Sequence, residues 1–184
     1  MKTIFTKITS SMLLASSLLM ANESFLDSLD IDPDFSKSYI GSSLNIETIN
    51  GYDPGMNIEV LYGVPFLKAY KGTFSAEVML TQTVIKESNT YLGSTYDTGY
   101  TTLSGLLTYK YELNQKFYGK VKQGIKFYYA NSNDRFTSTN AVGIVVSAVG
   151  GFVINDKLDL TFGLSQVDVL NGNVNMGAGV NFKF

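Results

Sequence analysis

The chain contains no cysteine, no histidine and no tryptophan, and only three prolines. Without cysteine no disulfide can staple the fold, so backbone pairing and burial must hold it. Without histidine the Ser-His and Cys-His arrangements of nucleophilic catalysis are excluded, and so are the usual zinc sites. A pair of carboxylates could still do acid–base work. Glu59 and Glu77, on neighbouring predicted strands, are the one candidate pair, and a structural ion pair is the simpler role for them. No Gly-rich phosphate-binding loop is present. The chain therefore reads as non-enzymatic, with no catalytic residue, no cofactor and no metal.

Positive charge is also scarce. Residues 1–21 have the form of a secretory signal peptide: Lys2 and Lys7 at the start, an apolar stretch from Met12 to Met20, and the small Ala21 at the end. The alternative, a membrane anchor, needs roughly 20 apolar residues, and this stretch is shorter. Its removal takes away two lysines and no acid, so the formal net charge moves from −2 to −4. That balance argues against a nucleic-acid partner, which calls for a basic face. Residues 22–35 form an acidic lead with Glu23, Asp27, Asp30, Asp32 and Asp34. It is expected to be a flexible mature N-terminus or a short segment that docks on the rim of the fold or on a partner.

A long apolar run is missing after the signal. The longest, Ile144 to Ile154, is interrupted by Ser147, Gly150 and Gly151, and is too short for a transmembrane helix. If the chain enters a membrane it must do so as a closed barrel.

What is abundant is strand chemistry. Tyr and Phe number 12 each, and aromatic residues favour strands. The last stretch shows the pattern most regularly. Val174, Met176, Ala178, Val180, Phe182 and Phe184 alternate with Asn175, Gly177, Gly179, Asn181 and Lys183. Successive side chains of a strand point to opposite faces, so one face is apolar and the other polar and small. The same alternation predicts eight strands, near 37–47, 57–66, 74–81, 102–111, 117–129, 142–154, 158–165 and 174–184. The sixth alternates poorly, because Val145, Val149 and Val153 fall on the polar face. Short turns, such as Asn155-Asp156, alternate with longer connections, including polar loops at 86–99 and 130–140. That sorting of connections is the mark of transmembrane barrels. The predicted fold is all-β: an eight-stranded antiparallel up-and-down transmembrane β-barrel over residues 36–184.

The contents of the two faces decide between this fold and a soluble, lipocalin-like barrel with its apolar faces turned inward. Eight strands enclose a space just wide enough for side chains to fill it. The many Phe and Tyr would not fit there, whereas the Gly, Ser, Thr and Asn of the polar faces would. Aromatics also gather at strand ends, as interfacial girdles do. Phe66, Tyr109, Tyr111, Phe117, Phe182 and Phe184 lie near the short-turn end. Tyr52, Tyr100, Tyr128 and Tyr129 lie near the long-loop end, with Tyr128 on the inner face by strict alternation.

The inner faces carry acids on one side and bases on the other. Glu47, Glu59 and Glu77 come from the first three predicted strands. Lys110, Lys120, Lys122 and Lys126 come from the fourth and fifth, and Asp159 from the seventh. Charges in a narrow lumen must pair or be hydrated, so a cross-lumen network that plugs the barrel is expected. A thin hydrated path with weak conductance is the rival reading. Leu61, Met79, Leu106, Val145, Val149 and Val153 also face inward and could line a route for small hydrophobic molecules. In the two long loops Tyr91, Tyr96, Arg135 and Phe136 are the contact candidates, since aromatics and Arg are enriched in interfaces.

On these patterns residues 36–184 resemble the small outer-membrane barrels of the OmpA transmembrane-domain and OmpX type. One motif carries part of the resemblance. The C-terminal signal of that family is a polar residue, any, Gly, any, any, apolar, any, aromatic. Gly179, Phe182 and Phe184 fit it, while Gly177 stands in the polar slot, where Asn175 could serve instead. The resemblance implies outer-membrane lipid as the surroundings and the barrel-assembly machinery as a partner during biogenesis. It also implies periplasmic termini, extracellular long loops and a monomer. The expected role is structural or adhesin-like interaction through the loops, with an unidentified surface ligand. The alternative is a narrow, porin-like pore or transporter.

Overall fold

The computed structural model describes residues 34–184 except 49–51, 70–71, 92–93, 131–139 and 169–171. The predicted signal peptide and all of the acidic lead before Asp34 lie outside the described residues, as does most of the 130–140 loop. A single 3-10 turn at Phe35–Lys37, capped by the Asp34 side chain, leads into the strands.

Ten strands follow: β1 (Tyr39–Thr48), β2 (Gly55–Ala69), β3 (Gly72–Ile85), β4 (Glu87–Tyr91), β5 (Ser94–Thr98), β6 (Tyr100–Glu112), β7 (Phe117–Ala130), β8 (Asn140–Asn155), β9 (Leu158–Asp168) and β10 (Val174–Lys183). Eight of them close into a barrel in the order β1-β10-β9-β8-β7-β6-β3-β2, and β4 and β5 form a separate two-stranded sheet. All barrel pairs are antiparallel. The closing pair aligns Tyr39 with Lys183 and Thr48 with Val174. Closure leaves no free strand edge, which is the condition for crossing lipid, where no water can satisfy an unpaired backbone group.

The barrel is inside out relative to a soluble protein. Along β1, Tyr39, Gly41, Asn45 and Glu47 are buried, while Ile40, Leu44 and Ile46 are exposed. The same holds around the wall: Val78, Leu80, Leu103, Ile125, Phe162 and Val180 all face outward and are exposed. Glu47, Glu77, Thr81, Thr102 and Ser104 are fully buried inside. An apolar belt of this extent on a closed barrel is a lipid-facing surface, and the chain is a transmembrane barrel.

At the short-turn end aromatic rings cluster. Phe74 and Tyr109 lie 4.7 Å apart, Phe117 and Phe152 5.1 Å, and Phe182 and Phe184 5.9 Å. The long-loop girdle needs correction. Tyr129 is exposed, but Tyr100 and Tyr128 are buried in the lumen, edge to face at 5.3 Å. Inner-face alternation decides their place, not nearness to a strand end.

Two further expectations change. Residues 86–99 are not a plain loop, because β4 and β5 pair through them, with Glu87 opposite Thr98 and Tyr91 opposite Ser94. Thr90, Thr95 and Thr98 are β-branched, and that favours the extended chain. The seventh predicted strand also runs on to Asp168, through a bulge. On the β10 side the register shifts between Asn175 and Met176, and on the β8 side between Val146 and Ala148. Gly163, with φ +132°, sits just before it, in a conformation that favours glycine.

The belt makes a depth-dependent prediction. Val78→Arg, at the middle of β3, should lower folding stability in lipid vesicles by about 2–4 kcal/mol, and Ile85→Arg at its end by about 0–1 kcal/mol. Urea titration followed by tyrosine fluorescence measures both. Equal costs at the two positions would contradict the lipid-facing assignment.

Candidate functional site

Among the described residues the buried charges lie in the lumen and at its mouth, and they are arranged in layers. The layer nearest the short turns pairs Lys183 of β10 with Asp159 of β9 at 2.9 Å. Lys110 sits beside it over the ring of Tyr118, 4.3 Å from the centroid, and reaches Glu112 at 3.7 Å near the barrel end.

The next layer centres on Glu77. Its Oε1 accepts from Lys120 Nζ at 3.2 Å and its Oε2 from Lys122 Nζ at 2.7 Å. The hydroxyl of Tyr39 also donates to Glu77, and Lys120 lies over the Tyr39 ring at 4.3 Å. Alternation makes this possible: Lys120 and Lys122 are two apart on β7, so both point inward, and Glu77 reaches them from β3 across the intervening β6. The Tyr39 ring lies where a Cβ at Gly63 would be, 2.6 Å from the hydroxyl oxygen. Glycine on this inner face is the space that the tyrosine occupies.

Above it comes an apolar layer. Met79, Leu106 and Val145 pack together, fully or almost fully buried, with Leu61 against them. Glu59 lies alongside, accepting from Ser43 Oγ at 2.9 Å and from Gln166 Nε2. Gln166 also donates to Thr81 Oγ1 at 3.1 Å. A cavity of about 30 Å³ is lined by Glu59, Lys120, Lys122, Asn181 and Thr161 among others. That is room for one or two waters.

The uppermost layer holds Glu47, which accepts from Asn57 Nδ2 at 3.1 Å, and Asn57 in turn accepts from Asn45 at 3.1 Å. Lys126 lies over the rings of Tyr128 and Tyr100, 4.6 and 5.3 Å from their centroids. The Tyr128 hydroxyl donates to Asp168.

All eight charged residues singled out from the sequence lie on the inner faces, but they do not meet as one network. Glu77 joins Lys120 and Lys122, while Asp159 takes Lys183. Lys110 turns to Glu112 at the barrel end. Among the described residues, Glu47, Glu59 and Lys126 make no ion pair; amides, hydroxyls and rings surround them instead. Glu59 and Glu77 are held by different partners. Val149 and Val153 are half-buried and, with the Met79 cluster, fill the lumen wall.

Several lumen residues escape the alternation pattern. Gln166 and Asp168 are both 1% exposed, yet two-residue counting from Asp159 puts them outside. The bulge in β9 reverses the faces beyond it. Tyr39, Tyr118 and Tyr128 enter the lumen as the polar caps of buried lysines, a role that alternation alone does not assign.

Gly179, Phe182 and Phe184, the proposed assembly signal, lie along β10 and just past its end, with both rings exposed on the outer face. Of the loop contact candidates, Tyr91 and Tyr96 belong to the β4–β5 hairpin, opposite Ser94 and Asn89. Arg135 and Phe136 lie outside the described residues.

No protein-family model matches the chain, and no curated protein matches it in sequence. Solved structures match it in fold. Neisserial surface protein A (NspA) superposes with a TM-score of 0.52 at 10% identity, over 81% of this chain and 97% of that one. Ail, the attachment invasion locus protein of Yersinia pestis, gives 0.51 at 11% identity, covering 80% and 97%. Ail in complex with the heparin analogue sucrose octasulfate gives 0.50 at 13% identity, again covering 80% and 97%. At such identities the likeness is one of fold, and the fold is that of small outer-membrane barrels.

The Glu77 layer sets a stability prediction. Glu77→Gln leaves two buried ammonium groups without their counter-charge and should cost about 3–5 kcal/mol. Glu112→Gln, at an exposed pair, should cost less than about 1 kcal/mol. Urea titration in vesicles compares them, and similar costs would show that the buried cluster is not what holds the lumen.

Proposed function

We propose that this chain is a non-enzymatic outer-membrane barrel with a plugged lumen, and that it acts at the cell surface through its long-loop end. The observation that carries the reading is the set of buried side chains that cross the lumen. A triad of Glu77, Lys120 and Lys122 lies beneath a packed layer of Met79, Leu106 and Val145. A small cavity of about 30 Å³ does not make a path for a hydrated solute. With the interior closed and the wall in lipid, the parts left to meet another molecule are the two ends.

The ends are unequal. The turns at 113–116 and 156–157 are short and polar, whereas the other end carries the β4–β5 hairpin and the longer connections. In this reading the long-loop end faces outward and both termini face the periplasm. Gly179, Phe182 and Phe184 would serve as the signal for the barrel-assembly machinery. The fold likeness to a surface protein and to an attachment invasion locus protein points the same way. The neighbour that holds a sulfated heparin analogue does not fix the ligand here, because a chain of net negative charge is a poor match for a polyanion.

The test is adherence. Cells displaying the full chain should bind to an epithelial monolayer more than cells displaying a version in which residues 87–98 are replaced by a two-residue turn, with equal surface amounts of the two barrels. Equal adherence of the two would remove the hairpin from the function. No adherence above cells without the barrel would remove the surface-interaction role.

A further inference from the structure

At the mouth of the barrel two carboxyl groups are buried against each other. Glu47 projects inward from the top of β1 and is 0% exposed. Glu87 opens β4, and its side chain is also 0% exposed. It lies over Gly55, where a Cβ would meet Glu87 Oε1 at 2.7 Å and Cδ at 2.8 Å. Gly55 faces Glu47 across the β1–β2 pair. Glu87 thus fills the space of the missing side chain at 55, which brings its carboxyl group beside that of Glu47.

Two ionised carboxylates buried side by side repel, and neither has a hydrogen to give the other, so the pair is favoured there when it holds a proton. The remaining partners do not supply one. Asn57 donates to Glu47 Oε2, while among the described residues no side-chain donor meets Glu47 Oε1 or either Glu87 oxygen. The charged group facing the pair is Lys126 from β7; around Lys126 in turn lie Tyr128 of the same strand, Tyr100 from β6, Asp168 from β9 and Glu59 deeper on β2. Lys126 is one cation among four acids. Burial pushes the Glu87 carboxyl up from its ordinary value, against its own backbone N–H and the weaker pull of Lys126.

Glu87 is the root of the β4–β5 hairpin. The hairpin is also tied to the neighbouring connection by the Asp53 N–H donating to Ser88 O at 2.8 Å.

We propose that Glu47 and Glu87 form a proton-sharing latch: the shared proton fastens the root of the β4–β5 hairpin to the barrel rim, and its loss frees the hairpin. The latch does not depend on what the surface binds. The sign follows from linkage. A carboxyl whose value is raised in the docked state favours docking most below its free value of about 4.3. Docking then weakens as pH rises through the docked value, by up to about tenfold per pH unit. The hairpin is closed in acid and released toward alkaline pH.

The experiment uses the full chain in lipid vesicles with spin labels at Thr95→Cys in the hairpin and Thr48→Cys at the top of β1. The absence of native cysteine makes both sites specific. Distances between the labels are recorded from about pH 4.5 to about pH 9. The expected result is one short distance in acid and a second, longer distance whose share grows with pH. Glu87→Gln keeps a neutral donor at the contact and should stay short at every pH. If that variant does not insert, Glu47→Gln gives the same reading. A wild-type distribution that ignores pH would overturn the latch. So would a Glu87→Gln variant that opens like the wild type, because another group would then be titrating. A closed state that returns at high pH only with added calcium would replace the proton by a cation and overturn the proposal too.

Discussion

A chain that crosses lipid on strands has to pair its first strand with its last. Here β1 meets β10 in unbroken register from Tyr39 to Thr48, and most else follows. Once the wall is closed, every second side chain points into a space about as wide as two side chains. Every other one points at hydrocarbon. The outward set must be apolar. The inward set cannot be, because each strand brings its polar face along. The problem the sequence solves is therefore how to bury charge in a narrow tube without water.

The solution is local. Glu77 is shared between two lysines and a tyrosine hydroxyl, so that one carboxylate meets three donors. Lys110, Lys120 and Lys126 each rest on a tyrosine ring, which adds a favourable contact for the ammonium group. Inner-face glycines give the rings their room, as at Gly63 beneath Tyr39. Between the charged layers the Met79, Leu106 and Val145 contact fills the tube. These devices stabilise the buried charge, and the proposal of a surface role rests on their also sealing the tube.

The sequence shows most of the wall and less of its contents. Period-two alternation identifies the eight barrel strands, because lipid and lumen impose opposite demands on successive residues. It also identifies Glu77, Lys120 and Lys122 as inward. It does not choose partners: Lys126 has several acids in its surroundings and settles on two aromatic rings, a matter of reach that alternation does not encode. It fails at Gln166 and Asp168, where a bulge adds residues and reverses the faces. Alternation fails again at 86–99, where a polar stretch reads as a loop, although its threonines and tyrosines pair as a hairpin. Polar alternation without an apolar face looks the same in a loop and in a hairpin standing clear of lipid.

The most direct measurement is ionic current through the refolded chain in a planar bilayer, first for the wild type and then for Glu77→Gln. A sealed lumen predicts a silent wild type. Unitary openings should appear only in the variant, where two uncompensated lysines draw in water and anions. Steady current through the wild type would contradict the sealed lumen and move transport ahead of surface interaction.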